Sequence, residues 1–198
     1  ATYVDTIKDA AESSQQITVI VDDLLTVSEL GIGYVVKKTE TVDVSKLLKE
    51  LQATLDNRVK EKKLTFALAF PETPLVVDAN PSDMRKIFMN LLDNAIIYTK
   101  EGGVMVTGKD QGDTVVITIA DTGIGIPANE RNDVFREFFR AKNAIVGKNV
   151  GTGLGLFIVK TIVTAHDGTV TVVSEENKGT TFTVTLPKKQ GQKEAKAT

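Results

Sequence analysis

Apolar and small residues recur along the first thirty positions at three- and four-residue steps. Ile7, Ala10, Ser14, Ile17, Val21, Leu24 and Ser28 fall on one line. This predicts a single helix over residues 1–30 with a coiled-coil-like seam, which needs a second helix or a symmetry mate to cover it. Gly31-Ile-Gly33 breaks the period and sets the end of a first unit, residues 1–33. Residues 34–42 read as an extended linker, with Thr41 or Asp43 as N-cap of the next helix. Val44, Leu47, Leu48, Leu51, Leu55 and Val59 stripe that helix.

At Leu64–Phe70 alternation replaces the helical period and predicts a half-buried strand. A short strand, Leu75–Val77, follows a proline-bracketed turn. Pro81 then opens a helix whose inner face is Ile87, Phe88, Leu91, Leu92 and Ala95. Val104–Lys109 with Thr114–Ala120 predict one hairpin, and Thr169–Ser174 with Thr181–Leu186 a second. Between them lies a helix, Leu154–Ala165, stopped at Gly168. The main domain is therefore expected over residues 43–187, with a polar, disordered tail over 188–198. Helices gathered against a sheet of hairpins predict an α+β two-layer sandwich preceded by one long helix. A Rossmann fold would need alternating β-α-β units and a parallel sheet.

Composition removes several chemistries. The net charge of −2, from 24 basic and 26 acidic residues, gives no reason to expect nucleic acid as a partner. The chain has no cysteine, which excludes disulfides, thiolate catalysis and Cys-based zinc sites. Its single histidine, His166, leaves little room for histidine-based mechanisms. No apolar run approaches the ~20 residues that span a bilayer. A start at Ala1 rather than Met predicts a piece of a longer protein. The expected setting is the cytoplasm, with a parent protein free to be membrane-anchored.

Two glycine-rich runs carry the chemistry. Asp121-Thr-Gly-Ile-Gly-Ile-Pro127 follows the strand Thr114–Ala120, so the strand delivers a carboxylate into a turn where backbone can approach a flat ligand. A carboxylate there suits an amino-group donor such as adenine and would repel a phosphate. Gly151-Thr-Gly-Leu-Gly-Leu156 opens a helix, where free N–H groups and the helix dipole attract phosphate. Asn90 and Asn94 stand four apart on one helix face, and their amide oxygens suit magnesium when phosphates supply the negative charge.

Taken together these stretches resemble the sensor histidine kinases. Asn90-Leu-Leu-Asp-Asn-Ala95 with Tyr98-Thr99 is similar to their N-box, and Asp121-x-Gly-x-Gly125 to their first glycine box. Phe135-Arg-Glu-Phe-Phe-Arg140 resembles the F-box, Gly151-x-Gly-x-Gly155 the second glycine box, and Gly179-Thr-Thr-Phe182 the closing motif. Upstream, Val21-Asp-Asp-Leu-Leu25 resembles the second helix of the family's dimerisation and phosphoacceptor hairpin.

The resemblance implies a Bergerat-type ATP-binding fold, related to gyrase, Hsp90 and MutL. It implies ATP and Mg2+ as cofactors and a phosphoacceptor histidine on the first hairpin helix, which this chain lacks. A response regulator as downstream partner and a possible homodimer through residues 1–30 follow from it too. The implied nucleotide-binding set is Asn90, Asn94, Tyr98, Asp121, Gly123, Gly125, Ile126, Arg140, Lys142, Gly151, Thr152, Gly153, Leu154, Gly155, Leu156 and Thr181. Within it Asn94 and Asn90 hold the metal, and Asn90, Asn94 and Arg140 act on the phosphates.

Related ATPases carry a Glu where Asn90 sits, and an amide cannot serve as their general base. Ile97 stands where the family commonly has a basic residue directed at phosphate. The segment 128–150, with Phe135, Phe138 and Phe139, is the expected ATP lid. His166, before Asp-Gly at a helix end, reads as a cap or packing residue rather than an acceptor. Two alternatives stay open at this point: a GHKL-type ATPase or serine-directed kinase, and a degenerate kinase serving as a nucleotide- or protein-binding module.

Overall fold

The computed structural model of the protein describes residues 3–31, 34, 36, 38–145 and 151–189. The predicted first helix is present as α1 (Tyr3–Glu29). All seven seam positions, from Ile7 to Ser28, are exposed. A different stripe faces the rest of the chain: Asp23, Thr26 and Val27 are half-buried and Leu30 joins the core. At 3.6 residues per turn the two stripes lie on roughly opposite faces of the helix. One face docks on the domain, which leaves the seam free. Ile32 and Gly33, part of the predicted stop, lie outside the described residues.

The expected linker is partly a strand. β1 (Glu40–Asp43) pairs antiparallel with β3 (Val76–Ala79), from Glu40 opposite Ala79 to Asp43 opposite Val76. Val42 buries its side chain opposite Val77, so the expected linker adds a strand residue to the core. Of the two N-cap candidates, Asp43 is the one used: its Oδ1 accepts from the Lys46 N–H at 3.1 Å, opening α2 (Val44–Glu61). Thr41 belongs to the strand instead.

The main sheet runs in the order β2 (Thr65–Ala69), β4 (Gly103–Asp110), β5 (Thr114–Asp121), β7 (Gly179–Pro187), β6 (Thr169–Glu175). Both predicted hairpins are there. Only β2 and β4 run parallel, since α3 (Pro81–Tyr98) intervenes and returns the chain to the same edge. The layer of α2, α3 and α5 (Gly155–Ala165) closes one face of the sheet. Leu48, Leu51, Ile87, Phe88, Leu91, Ile117, Ile158 and Val184 form its dry centre. The architecture is the expected α+β two-layer sandwich.

Two anchors fix α3, the helix that carries both asparagines. At its start the Asn80 side-chain oxygen accepts from the N–H groups of Ser82 and Asp83 at 3.0 and 3.1 Å, with Pro81 in the first turn. At its end Lys62 Nζ donates to the carbonyls of Ile96, Ile97 and Thr99 at 2.6, 2.9 and 3.1 Å. A lysine there satisfies orphan carbonyls and complements the negative end of the dipole.

His166 caps α5 and is 1% exposed. Its Nδ1 lies 2.9 Å from the Ile162 carbonyl, and its Nε2 accepts from the Asn80 N–H at 3.3 Å. That pattern puts the ring proton on Nδ1 and leaves neither nitrogen available as a nucleophile. Nearby, the half-buried Tyr34 donates its hydroxyl to Asp83 at 2.7 Å and fastens the chain after α1 to α3. Burial, and then that bond to Asp83, push the Tyr34 phenol above its ordinary titration range.

The chain stays ordered past the predicted boundary at residue 187. Lys188 donates its N–H to Asp113 at 2.9 Å, accepts from Asp78 at 2.8 Å, and pairs with Asp110 at 2.7 Å. Residues 190–198, the remainder of the expected tail, lie outside the described residues. No helix among the described residues is long and apolar enough to cross a membrane.

Candidate functional site

β5 ends at Asp121, and the chain turns through Gly123 and Gly125 beneath the end of α3. Asp121 Oδ1 accepts from the Gly123 N–H at 2.8 Å and from the Thr180 N–H at 3.2 Å. These bonds occupy one carboxylate oxygen and orient the other. Burial pushes the Asp121 carboxyl above the ordinary carboxylate range, opposed by the two N–H groups. Gly125 is required where it stands. Its φ is +63°, and a methyl group there would lie 2.0 Å from the Glu175 carbonyl oxygen.

Asp121 opens onto a cavity of about 230 Å³. The same cavity is lined by Asn90 and Asn94 from α3, Arg140 from the lid, and Gly151, Thr152, Gly153 and Gly155 from the second glycine run. Tyr98, Ile126 and Leu156 line it as well, and a methyl group added at Gly151 would lie 3.8 Å from the Tyr98 hydroxyl. One cavity thus gathers the Asp121 carboxylate, the Arg140 cation, two amides and a glycine-rich helix start, together with the carboxylates of Asp23 and Asp93. Asn90 Nδ2 donates to the Lys86 carbonyl at 2.9 Å, so the Asn90 oxygen is the free atom. It points to the second glycine run: a methyl group added at Gly155 would lie 2.6 Å from Asn90 Oδ1.

The lid is a chain of turns ending in α4 (Lys142–Ile145), with residues 146–150 outside the described set. Phe135 packs edge-on against Phe182 at a centroid distance of 6.2 Å, which pins the lid to β7. Phe139 lines the cavity, while Phe138 is exposed at φ +58°. Gly153, at φ +74°, rests directly on the backbone of Phe138 and Phe139. The two glycine runs and the lid therefore form one assembly.

Four predicted residues fall elsewhere. Thr181 pairs with Ala120 and Val173 and is not part of the cavity wall. Its neighbour Thr180 takes that place, because successive strand residues face opposite sides of a sheet. Lys142 is exposed and outside the wall, and its N–H donates to Glu130 Oε2 at 3.0 Å. The Leu154 side chain is buried in the core, and its N–H donates to Thr152 Oγ1 at 3.1 Å. Gly123 lies behind the wall, where it orients Asp121.

Other wall residues were not anticipated. Thr180 was legible, since it shares the inward parity of Phe182, Val184 and Leu186. Asn143, from α4, donates to the Gly125 carbonyl at 2.9 Å and ties the lid to the first glycine run; nothing in its spacing announces this. Asp93 lines the wall and pairs with Arg58, and burial raises its carboxyl against that pairing. Ile97, the position noted above as a departure from the family pattern, lines the wall with an apolar side chain. Val19 and Asp23 of α1 also reach it. Among the described residues, no group of three or more His, Cys, Asp or Glu side chains is placed to hold a metal ion.

Comparison with known proteins places this geometry. Residues 79–190 match the family described as histidine kinase-, DNA gyrase B-, and HSP90-like ATPase. The chain is 31% identical over 184 residues to the circadian input-output histidine kinase CikA of Synechococcus elongatus, covering 91% of this chain and 24% of that protein. It is 35% identical over 178 residues to the probable sensor histidine kinase TcrY of Mycobacterium tuberculosis, covering 89% and 37%. It therefore spans about a quarter to a third of these relatives' length. Among solved structures, full-length ShkA in complex with AMPPNP superposes with a TM-score of 0.81 at 28% identity, over 96% of this chain and 40% of that one. The mycobacterial sensor histidine kinase MprB superposes with a TM-score of 0.65 at 29% identity, over 77% and 99%. With the family match running from the start of α3 through the end of β7, across both glycine runs and the lid, this chain belongs to the histidine kinase-, DNA gyrase B- and HSP90-like ATPases.

Proposed function

We propose that this chain is the ATP-binding catalytic part of a sensor histidine kinase. It holds Mg-ATP and presents the γ-phosphate to a histidine on another segment of the parent protein, for relay to a response regulator. The observation that carries the reading is that one cavity is lined by Asp121 together with Asn90, Asn94, Arg140 and the glycines of the second run, Gly151, Gly153 and Gly155. The Asp121 carboxylate accepts from the adenine amino group, and the second glycine run and Arg140 receive the phosphates.

The donor set fits magnesium. Asn90 and Asn94 offer neutral oxygens, and the Lys86 carbonyl, by holding Asn90 Nδ2, leaves the Asn90 oxygen free toward the phosphate end. The absence of an acidic cage among the described residues suits an ion that takes much of its coordination from phosphate and water. When bound, Mg2+ supplies charge neutralisation on the β- and γ-phosphates. The chain's own residues orient the nucleotide, and position 90 carries an amide, which takes no proton from water. His166 is not the acceptor, with both ring nitrogens engaged in the core.

Support for a cytoplasmic setting is chemical, because ATP and a response regulator are met there. The free seam on α1 supports pairing of two copies through that helix. Calorimetry with Mg-ATP tests the first step, and absence of binding would end the reading. Phosphate transfer to a separately supplied acceptor helix tests the second. Steady ATP hydrolysis with no acceptor would favour an ATPase instead.

A further inference from the structure

One polar contact to the cavity comes from outside the sandwich. Asp23, on α1, accepts from the Thr152 hydroxyl at 2.6 Å, across 129 positions of sequence. Thr152 lies in the second glycine run, and its Oγ1 in turn accepts the Leu154 N–H at 3.1 Å. Leu154 is the N-cap residue of α5, so a backbone donor at the helix start is already turned inward while this chain of bonds persists. Val19, one turn earlier on the same face, lines the same cavity.

The contact is supported along α1. Leu30 inserts into the core, Val27 packs against it, and Glu29 approaches Lys86 of α3 at 3.9 Å. These hold Asp23 in place over the phosphate end of the cavity. A carboxylate there meets the same difficulty as any anion beside another: it and a triphosphate repel, and they compete for one hydroxyl. Arg140 in the same wall can answer either anion.

We propose that Asp23 is an affinity-setting residue of the nucleotide site, an internal competitor for its phosphate end. In the docked position α1 closes that end with a carboxylate. A nucleotide that carries phosphates must displace Asp23 from Thr152, and so loosens the inner face of α1. The effect belongs to phosphates alone, because Asp121 and the purine end are untouched. By reciprocity, whatever pulls α1 away raises affinity for ATP by the same factor that ATP loosens α1. The inference rests on the nucleotide reading above.

The test is calorimetry on the full chain with Mg-ATP and, separately, adenosine, for the wild type, Asp23→Asn and Val19→Glu. Removing the charge should tighten Mg-ATP binding by about five- to tenfold, and adding one on the same wall should weaken it, with adenosine unchanged in both. Hydrogen exchange of the wild type should show faster exchange around residues 19–27 when Mg-ATP is added. Normal wild-type binding with an unchanged or weaker Asp23→Asn variant overturns this inference alone, and the weaker result would make Asp23 a ligand of the metal instead. If none of the three proteins binds Mg-ATP or adenosine, the nucleotide reading fails and takes the inference with it.

Discussion

The Thr180 N–H donates to Asp121 Oδ1 at 3.2 Å, and the two residues sit opposite one another in the β5–β7 register. The closing strand therefore holds the carboxylate from one side while the Gly123 N–H holds it from the other at 2.8 Å. The oxygen left over is aimed by the sheet itself. That arrangement holds a half-buried carboxyl, raised by its burial, in a fixed orientation at the cavity.

Replacing Asp121 with Asn separates binding from stability. Loss of a charge-assisted bond should weaken Mg-ATP binding by at least tenfold in calorimetry, since such bonds contribute about 1.5–3 kcal/mol. The folded protein should be no less stable near neutral pH. A carboxyl whose folded pKa is raised favours the native state only at low pH and opposes it once ionised. Chemical denaturation at pH 7 checks this.

The same raised titration gives a pH dependence. Asp121 is a full acceptor only when ionised, so nucleotide affinity should fall as pH drops through a value above the ordinary carboxylate range of about 3.9. Affinity measured from pH 7 to pH 4.5 should decline more steeply in the wild type than in Asp121→Asn, where the nucleotide phosphates and the raised Asp93 carboxyl still titrate.

Neighbouring threonines on β7 should behave oppositely. Thr180→Val removes a hydroxyl that lies 2.9 Å from the Ser174 hydroxyl within the buried layer and should cost about 1–2 kcal/mol in denaturant unfolding. Thr181→Val, on the outer face, should change stability by no more than about 0.5 kcal/mol and leave Mg-ATP affinity alone.

Gly155→Ala should damage the site and spare the fold. The added methyl group meets the Asn90 side-chain oxygen, and the asparagine must turn away from its bond to Lys86. Weaker Mg-ATP binding with an unchanged thermal midpoint is the expected pair of results.

His166→Ala should act only on stability. It strips a nearly fully buried ring and both its hydrogen bonds, at a cost of about 2–3 kcal/mol. Incubation of the wild type with labelled ATP should leave no acid-labile phosphate on His166.

Short-range pattern determined much of this protein. The stripes on α2 and α3, the alternation of β5 and β7, and the two glycine runs name their elements without knowledge of the fold, because helix and strand periods are local properties. Even Thr180 was readable from the parity of Phe182, Val184 and Leu186. Tertiary structure alone decided which distant segments meet. β1 needed β3, over thirty residues away, to become a strand rather than a linker. Lys188 is ordered because Asp110 and Asp113 wait at the far end of the first hairpin. Asn143 on the Gly125 carbonyl and Asp23 on Thr152 leave no periodic trace, since a single hydrogen bond between segments far apart in sequence imposes no repeat on either. Two faces of one helix tell the same story: the seam of α1 was visible as an apolar line, while its docking face acquired meaning only from the cavity beneath it.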